Sequence, residues 1–151
     1  QFRVGDYIIN GLNEGTVKVI DLLYTKLVTA DNRIITIPNG ALANSSVVNV
    51  GSQETRRLDI RLSVSYRTEL KSVKELLTNV MKQNQYILQE NDITVAVISL
   101  DESRIALETR AWVNTSDFWA AKCQLLESYK EVFDEYGIEM PFNVMDLNKK
   151  L

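Results

Sequence analysis

Turn signals divide the first third of the chain into pieces too short for ordinary helices, and nothing else in the sequence limits its fold so strongly. Asn10-Gly11, Glu14-Gly15, Asp31-Asn32 and Pro38-Asn39-Gly40 each favour a reversal, since Gly, Asn and Pro supply the backbone angles that tight turns need. Between them lie stretches rich in Val, Ile, Thr and Tyr at 7–9, 15–23, 25–29, 34–37 and 46–50, the last closed by Gly51. Five short strands in so little chain predict a small, strongly bent five-stranded β-barrel. The stretch "TADNRIITIPNGAL" contains two of these turns and one strand but no catalytic residue, so on its own it is scaffold. A unit of this size buries little apolar surface, and domains below about 70 residues usually rely on staples or partners. With no histidine and one cysteine, Cys123, the chain can form neither an internal disulfide nor a zinc site. Oligomerisation is the remaining device, and the barrel is expected to borrow stability from neighbouring copies.

The polar segment "GSQETRR" at 51–57 marks a boundary between domains at 1–52 and 53–151. Beyond it Leu58, Ile60, Leu62 and Val64 alternate with polar residues, as in a half-buried strand. Thr68 is placed to cap a helix whose apolar face is Val73, Leu76, Leu77, Val80 and Met81. Strands at 94–100 and 105–113 form a hairpin around "DESR". Ser116 is placed to cap a second helix carrying Phe118, Leu125, Tyr129, Val132 and Tyr136, and Gly137 to end it. With a last short strand near 144–147, the order β-α-β-β-α-β predicts a ferredoxin-like α+β sandwich.

Catalytic chemistry finds no footing in these residues. The commonest general base and metal ligand is missing, and Cys123, between Lys122 and Gln124 in a helix, reads as a packing residue. "GLNEG" lacks the lysine and long helix of a phosphate loop. Asp92, Asp101 and Glu102 read as polar hairpin ends rather than metal ligands, and Trp112 and Trp119 as core or interface packing. No catalytic residue, metal or cofactor is therefore expected. The net charge of −3 argues against nucleic acid, and Arg56-Arg57 is the sole adjacent arginine pair. No apolar run approaches the roughly 18 residues of a membrane span, and no signal peptide is present. The chain begins at Gln1 and reads as a piece of a longer protein. A binding module stays open at this point: a free-standing soluble Sm-like ring that takes RNA or a small ligand. Against RNA, Arg3, Lys18, Lys26 and Arg33 are scattered, with only Tyr24 as a stacking aromatic nearby.

The order of motifs narrows the choice. "FRVGDYI", "EGTV", "TKLVTADNRIITIPNG", "RRLDI", "VSY", "DEYGIEMPF" and "MDLN" together resemble the cytoplasmic region of MscS-type small-conductance mechanosensitive channels, over essentially the whole chain. The resemblance implies a parent in the cell (inner) membrane, tethered by N-terminal helices that precede this region. It implies seven copies closed into a hollow cytoplasmic cage, an Sm-like β domain (1–52) followed by the α+β domain (53–151). Ions and small osmolytes would leave through side portals on hypoosmotic shock. Matched residue by residue, Arg33, Asn39 and Asp59 fall at portal-lining positions. Ser99 stands where family members often carry an acidic residue, so their ion preference does not transfer. The segment 144–148, with Met145 and Leu147 alternating around Asp146, matches the strand that seals the cage. In the family these features serve permeation and not catalysis.

Overall fold

Five strands form, with Glu14-Gly15 inside the second of them instead of at the expected turn: β1 (Tyr7–Asn10), β2 (Asn13–Ile20), β3 (Tyr24–Val28), β4 (Ile34–Pro38) and β5 (Val48–Asn49), with a short helix α1 (Asn39–Ala43) between the last two. They belong to a computed structural model that describes residues 1–141 and divides into two compact units, Gln1–Glu54 and the chain from Thr55 onward. All five strands share one antiparallel sheet in the order β4-β3-β2-β1-β5. The expected barrel does not close. Among the described residues β4 pairs with β3 alone and β5 with β1 alone, which leaves both as edges. β5 has two residues, too few to bridge back across the sheet, and α1 occupies much of the connection.

Alternation decides what this sheet buries. In β2, Gly15 and Val17 face inward while Thr16 and Lys18 face solvent. Ile8, Val17, Leu27, Ile37 and Leu42 make the core, with Phe2, Ile35 and Val47 packed against it. Asn32 takes the positive φ (67°) required by the β3–β4 turn. Asn39-Gly40 behaves differently from the expected turn. Pro38, whose ring holds φ at −59°, leads the chain into α1, and Gly40 has no positive φ.

The Asn49 amide ties the beginning of this unit to its end, beside the backbone bonds from the Val50 and Gly51 N–H groups to Tyr7 O. Asn49 Nδ2 donates to the Gln1 carbonyl (3.0 Å) and to Asp6 Oδ2 (2.9 Å), while its Oδ1 accepts from the Gly51 N–H (3.2 Å). Asp6 Oδ2 also accepts from the Arg3 N–H, and these bonds hold its carboxyl below the usual range. Gly51 packs so closely that a Cβ there would lie 2.4 Å from the Tyr7 nitrogen.

The second unit follows the order β6 (Thr55–Val64), α2 (Leu70–Gln83), β7 (Thr94–Leu100), β8 (Ile105–Asn114), a 3-10 turn (Thr115–Asp117) and α3 (Phe118–Glu135). Its sheet is antiparallel with β8 in the centre, β6-β8-β7, so α2 connects two strands separated by a third. This is the split β-α-β arrangement of the ferredoxin-like type; the expected strand near 144–147 lies outside the described residues. Leu58, Ile60, Val64, Leu107, Ala111 and Val113 meet Val73, Leu77 and Met81 of α2 and Ala121, Leu125, Tyr129 and Phe133 of α3. Each helix thus buries residues spaced three or four apart, and both cover the same face of the sheet.

Two of the three expected helix caps are not made, and one residue of the expected apolar stripe is exposed. Thr68 does not cap α2. Ser65 accepts from the Arg67 and Thr68 N–H groups, which closes the turn upstream, and the helix starts after Glu69 with no side-chain cap. Ser116 falls inside the 3-10 turn instead of capping α3. Tyr136 lies past the last buried turn and is exposed. Gly137 performs as expected: with φ of 66° it lets its own N–H reach Asp134 O and Ile138 N–H reach Phe133 O, while Ile138 packs on the core. Cys123, expected to pack, faces solvent on α3, because the buried stripe passes through Ala121 and Leu125 instead.

At the centre of the core the Tyr129 hydroxyl donates to Thr109 Oγ1 at 2.9 Å. Burial pushes the phenol up to about 12, opposed in part by that bond. Tyr129→Phe should therefore cost about 1 kcal/mol at neutral pH by urea denaturation. The wild-type chain should also lose about 2–3 kcal/mol between pH 10 and 12. Over that range the unfolded tyrosine ionises and the folded one does not, so rising pH favours unfolding. The phenylalanine variant should lack this part of the decline.

Candidate functional site

The four residues matched to an ion path fall in two places. Arg33 and Asn39 belong to the first unit, and Asp59 and Ser99 share a surface of the second. Arg33 sits at the β3–β4 turn, where its Nε lies 2.9 Å from Asp31 Oδ2 with both side chains well exposed. Thr29 shapes this turn: its hydroxyl donates to Asp31 Oδ1 and accepts the Arg33 N–H at 2.8 Å. The Asp31 carboxyl is held below its usual range by the Thr29 hydroxyl first and by Arg33 second. Asp31 therefore keeps its charge beside Arg33 into moderately acidic solution, and the turn offers a locally balanced pair.

Asn39 is a clamp. Its Nδ2 donates to the carbonyls of Asp21 (2.8 Å) and Leu22 (3.1 Å), its Oδ1 accepts from the buried Thr25 hydroxyl (2.7 Å), and its own N–H reaches Leu23 O (2.8 Å). These bonds fix the β2–β3 turn, which presents Leu22 and Leu23 to solvent. All of the side chain's donor and acceptor groups are engaged within the unit, so Asn39 acts through the turn it holds.

Asp59 and Ser99 lie on the sheet face opposite the helices. Strand pleating sends Leu58, Ile60 and Leu62 toward the core and Arg57, Asp59 and Arg61 outward. On β8 the outward residues are Ala106, Glu108, Arg110 and Trp112, and in register Asp59 stands opposite Arg110 and Arg61 opposite Glu108. Ser99 pairs with Ala106 beyond a bulge in β7, and its hydroxyl bonds Asp101. Among the described residues no helix covers this face.

A row of charges runs across it. Arg57 grips Asp59 with two parallel bonds, Nε to Oδ1 at 2.8 Å and Nη2 to Oδ2 at 2.9 Å, which raises the guanidinium's already high pKa. Arg110 donates to Glu108 Oε2 from Nε (2.9 Å) and Nη2 (2.7 Å), while Arg61 Nε lies 3.4 Å from Glu108 Oε1. Reading the sequence for motifs picks out Asp59 and misses Glu108, Arg110 and Arg61. The available signal is charge alternation at spacing two in "RRLDIRL" and "ETR", which puts opposite charges on one side of a strand. Met145, Asp146 and Leu147 lie outside the described residues. Among the described residues no three Cys, Asp or Glu side chains converge as metal ligands would.

Residues 1–52 match the family model for the mechanosensitive ion channel beta-domain, and residues 58–140 that for the MscS C-terminal region. A small-conductance mechanosensitive channel of Edwardsiella ictaluri is 32% identical over 147 residues, covering 97% of this chain and 51% of that protein. An uncharacterized MscS family protein of Synechocystis is 34% identical over 147 residues, covering 97% and 50%. The chain thus spans about half the length of these relatives. The crystal structure of Helicobacter pylori MscS in its closed state superposes with a TM-score of 0.84 at 26% identity, over 94% of this chain and 56% of the other. Arabidopsis thaliana MSL1 shares the fold at a TM-score of 0.70 and 16% identity, over 94% and 53%.

The Asn39 clamp has a direct test. Asn39→Ala strands the buried Thr25 hydroxyl and two carbonyls, and should destabilise the chain by about 1–3 kcal/mol in urea. It should also speed amide exchange at Leu22 and Leu23. Asn39→Asp keeps the acceptor for Thr25 but loses both donors, and should fall between the alanine variant and wild type.

Proposed function

The chain belongs to the MscS family of mechanosensitive ion channels, and we propose that it forms part of the cytoplasmic vestibule beneath a tension-gated pore. Seven copies close a cage, and ions and small osmolytes leave through its portals when lateral tension opens the membrane part of the parent. The cage acts as a sieve and a coarse charge filter, and its role is permeation. No described helix is long and apolar enough to cross a membrane, so tension sensing and gating are assigned to the part of the parent beyond this chain.

The observation that carries this reading is the face of the β6-β8-β7 sheet that no helix covers among the described residues. A sheet face without a covering helix normally meets water or another copy, and this one presents Asp59, Ser99 and paired charges beside Ala106 and Trp112. In this assignment Arg33, Asp59 and Ser99 border the ion path, and Asn39 shapes it by holding the β2–β3 turn. The exposed edges of β4 and β5, and the exposed Leu12, Leu22, Leu23 and Ile34, are surfaces that a ring of copies can cover. Segment 144–148, including Met145, Asp146 and Leu147, seals the ring.

Two measurements test these assignments. Native mass spectrometry of this 17.2 kDa chain should give a sevenfold species. A strict monomer would assign ring closure to the membrane part and remove neighbour packing as the stabiliser of the first unit. In the full-length channel under a salt gradient, Asp59→Lys should move the reversal potential toward anions. An unchanged potential would take Asp59 off the ion path.

A further inference from the structure

Glu108 is the one charged residue among the buried side chains of the described residues, at 7% exposure, yet it lies on the face turned away from the core. Two arginines enclose it: Arg110 at 2.7 Å, and Arg61 at 3.4 Å with 77% of its own side chain exposed. Taking a carboxylate out of water costs several kcal/mol before pairing offsets it, and an apolar strand residue would fill the site at less cost. The stability of the sheet does not explain such a group. Its consequence for the neighbouring charges does.

We propose that Glu108 sets the effective charge of this face, and with it the ion preference of the path, by holding Arg110 and Arg61; the proposal rests on the assignment of the face to the ion path. Arg110 stands opposite Asp59 in the β6–β8 register but is turned to Glu108, donating to Oε2 from both Nε and Nη2. Asp59 is thereby left to Arg57, which also lies within the field of Glu108. Three arginines and two carboxylates give the row one net positive charge, although the chain as a whole carries −3. Screening over about 8 Å at physiological salt makes the local sign the one a passing ion meets. Glu108 itself, covered by its arginines, touches no permeant ion. It is a positioning residue, and it acts through the guanidinium groups it engages.

Glu108→Gln preserves shape and one acceptor, so the fold should survive. In the full-length channel it should raise the anion-to-cation permeability ratio about twofold, the Boltzmann weight of one unit charge seen through water at about 8 Å. Adding Arg110→Gln should return the ratio to the wild-type value. In this chain, nitrogen-15 spectra should show the Arg110 Nε–H shifting and exchanging faster in Glu108→Gln; an unchanged Arg110 signal would overturn the proposal. Asp59→Asn separates the remaining outcomes. If Asp59→Asn shifts the reversal potential and Glu108→Gln does not, the proposal fails and the ion-path assignment stands. If neither shifts it, the ion-path assignment fails and the proposal falls with it.

Discussion

The second unit depends on the pleat of β8, because a strand hydrogen-bonded along both edges can present its residues in only two directions. Leu107, Thr109, Ala111 and Val113 take the direction of the helices, and Glu108, Arg110 and Trp112 take the other. A slip of one residue would carry Glu108 and Arg110 into the core and Leu107 and Ala111 into water, so the register is held by the cost of that exchange. The Tyr129–Thr109 bond adds a polar check on the same register, since only one position of β8 puts a hydroxyl under α3. Core and charged face are two sides of one constraint.

The first unit is organised differently. Its core is small, and two asparagine side chains carry out the work that apolar volume does in the second. Asn39 fastens the β2–β3 turn, and Asn49 fastens the incoming chain to the outgoing one. An amide suits both positions because it donates and accepts from a single short side chain and can satisfy backbone groups that the strands leave unpaired. Three directed bonds at each position hold these segments in one geometry.

Much of this was legible in the sequence, and what was not has physical reasons. The strands and both long helices follow from period-two and period-three-to-four patterns, and Gly137 from the backbone angle that ends a helix. Barrel closure was not legible, since it depends on whether β5 is long enough to reach β4, and two residues of pairing leave no compositional trace. Thr68 and Ser116 have the right chemistry for caps, but Thr68 lies in a turn closed by Ser65 and Ser116 inside a 3-10 turn, so neither stands at a helix start. The α3 stripe was read with one wrong member and two missing: Phe118, Leu125, Tyr129 and Val132 pack as expected, whereas Tyr136 is exposed and the buried Ala121 and Phe133 were overlooked. Asp59 was recognisable only through resemblance to a family. Its neighbours were not, since the partners Glu108 and Arg110 come from a strand distant in sequence, and the pairing appears only once register is known.

Asn49 gives the first unit a mechanical character. Its amide ties the carbonyl of Gln1 and the carboxylate of Asp6 to the segment that ends at Gly51, so the chain enters and leaves this unit through adjacent points. A pull applied along the backbone at Gln1 would meet that knot together with the short β1–β5 pair of which Asn49 is part. It passes to the outgoing chain through a few bonds loaded together, and the intervening sheet hangs beside the line of force as a closed loop. Such a unit can transmit a load that would peel its strands apart one by one if its two ends lay on opposite sides.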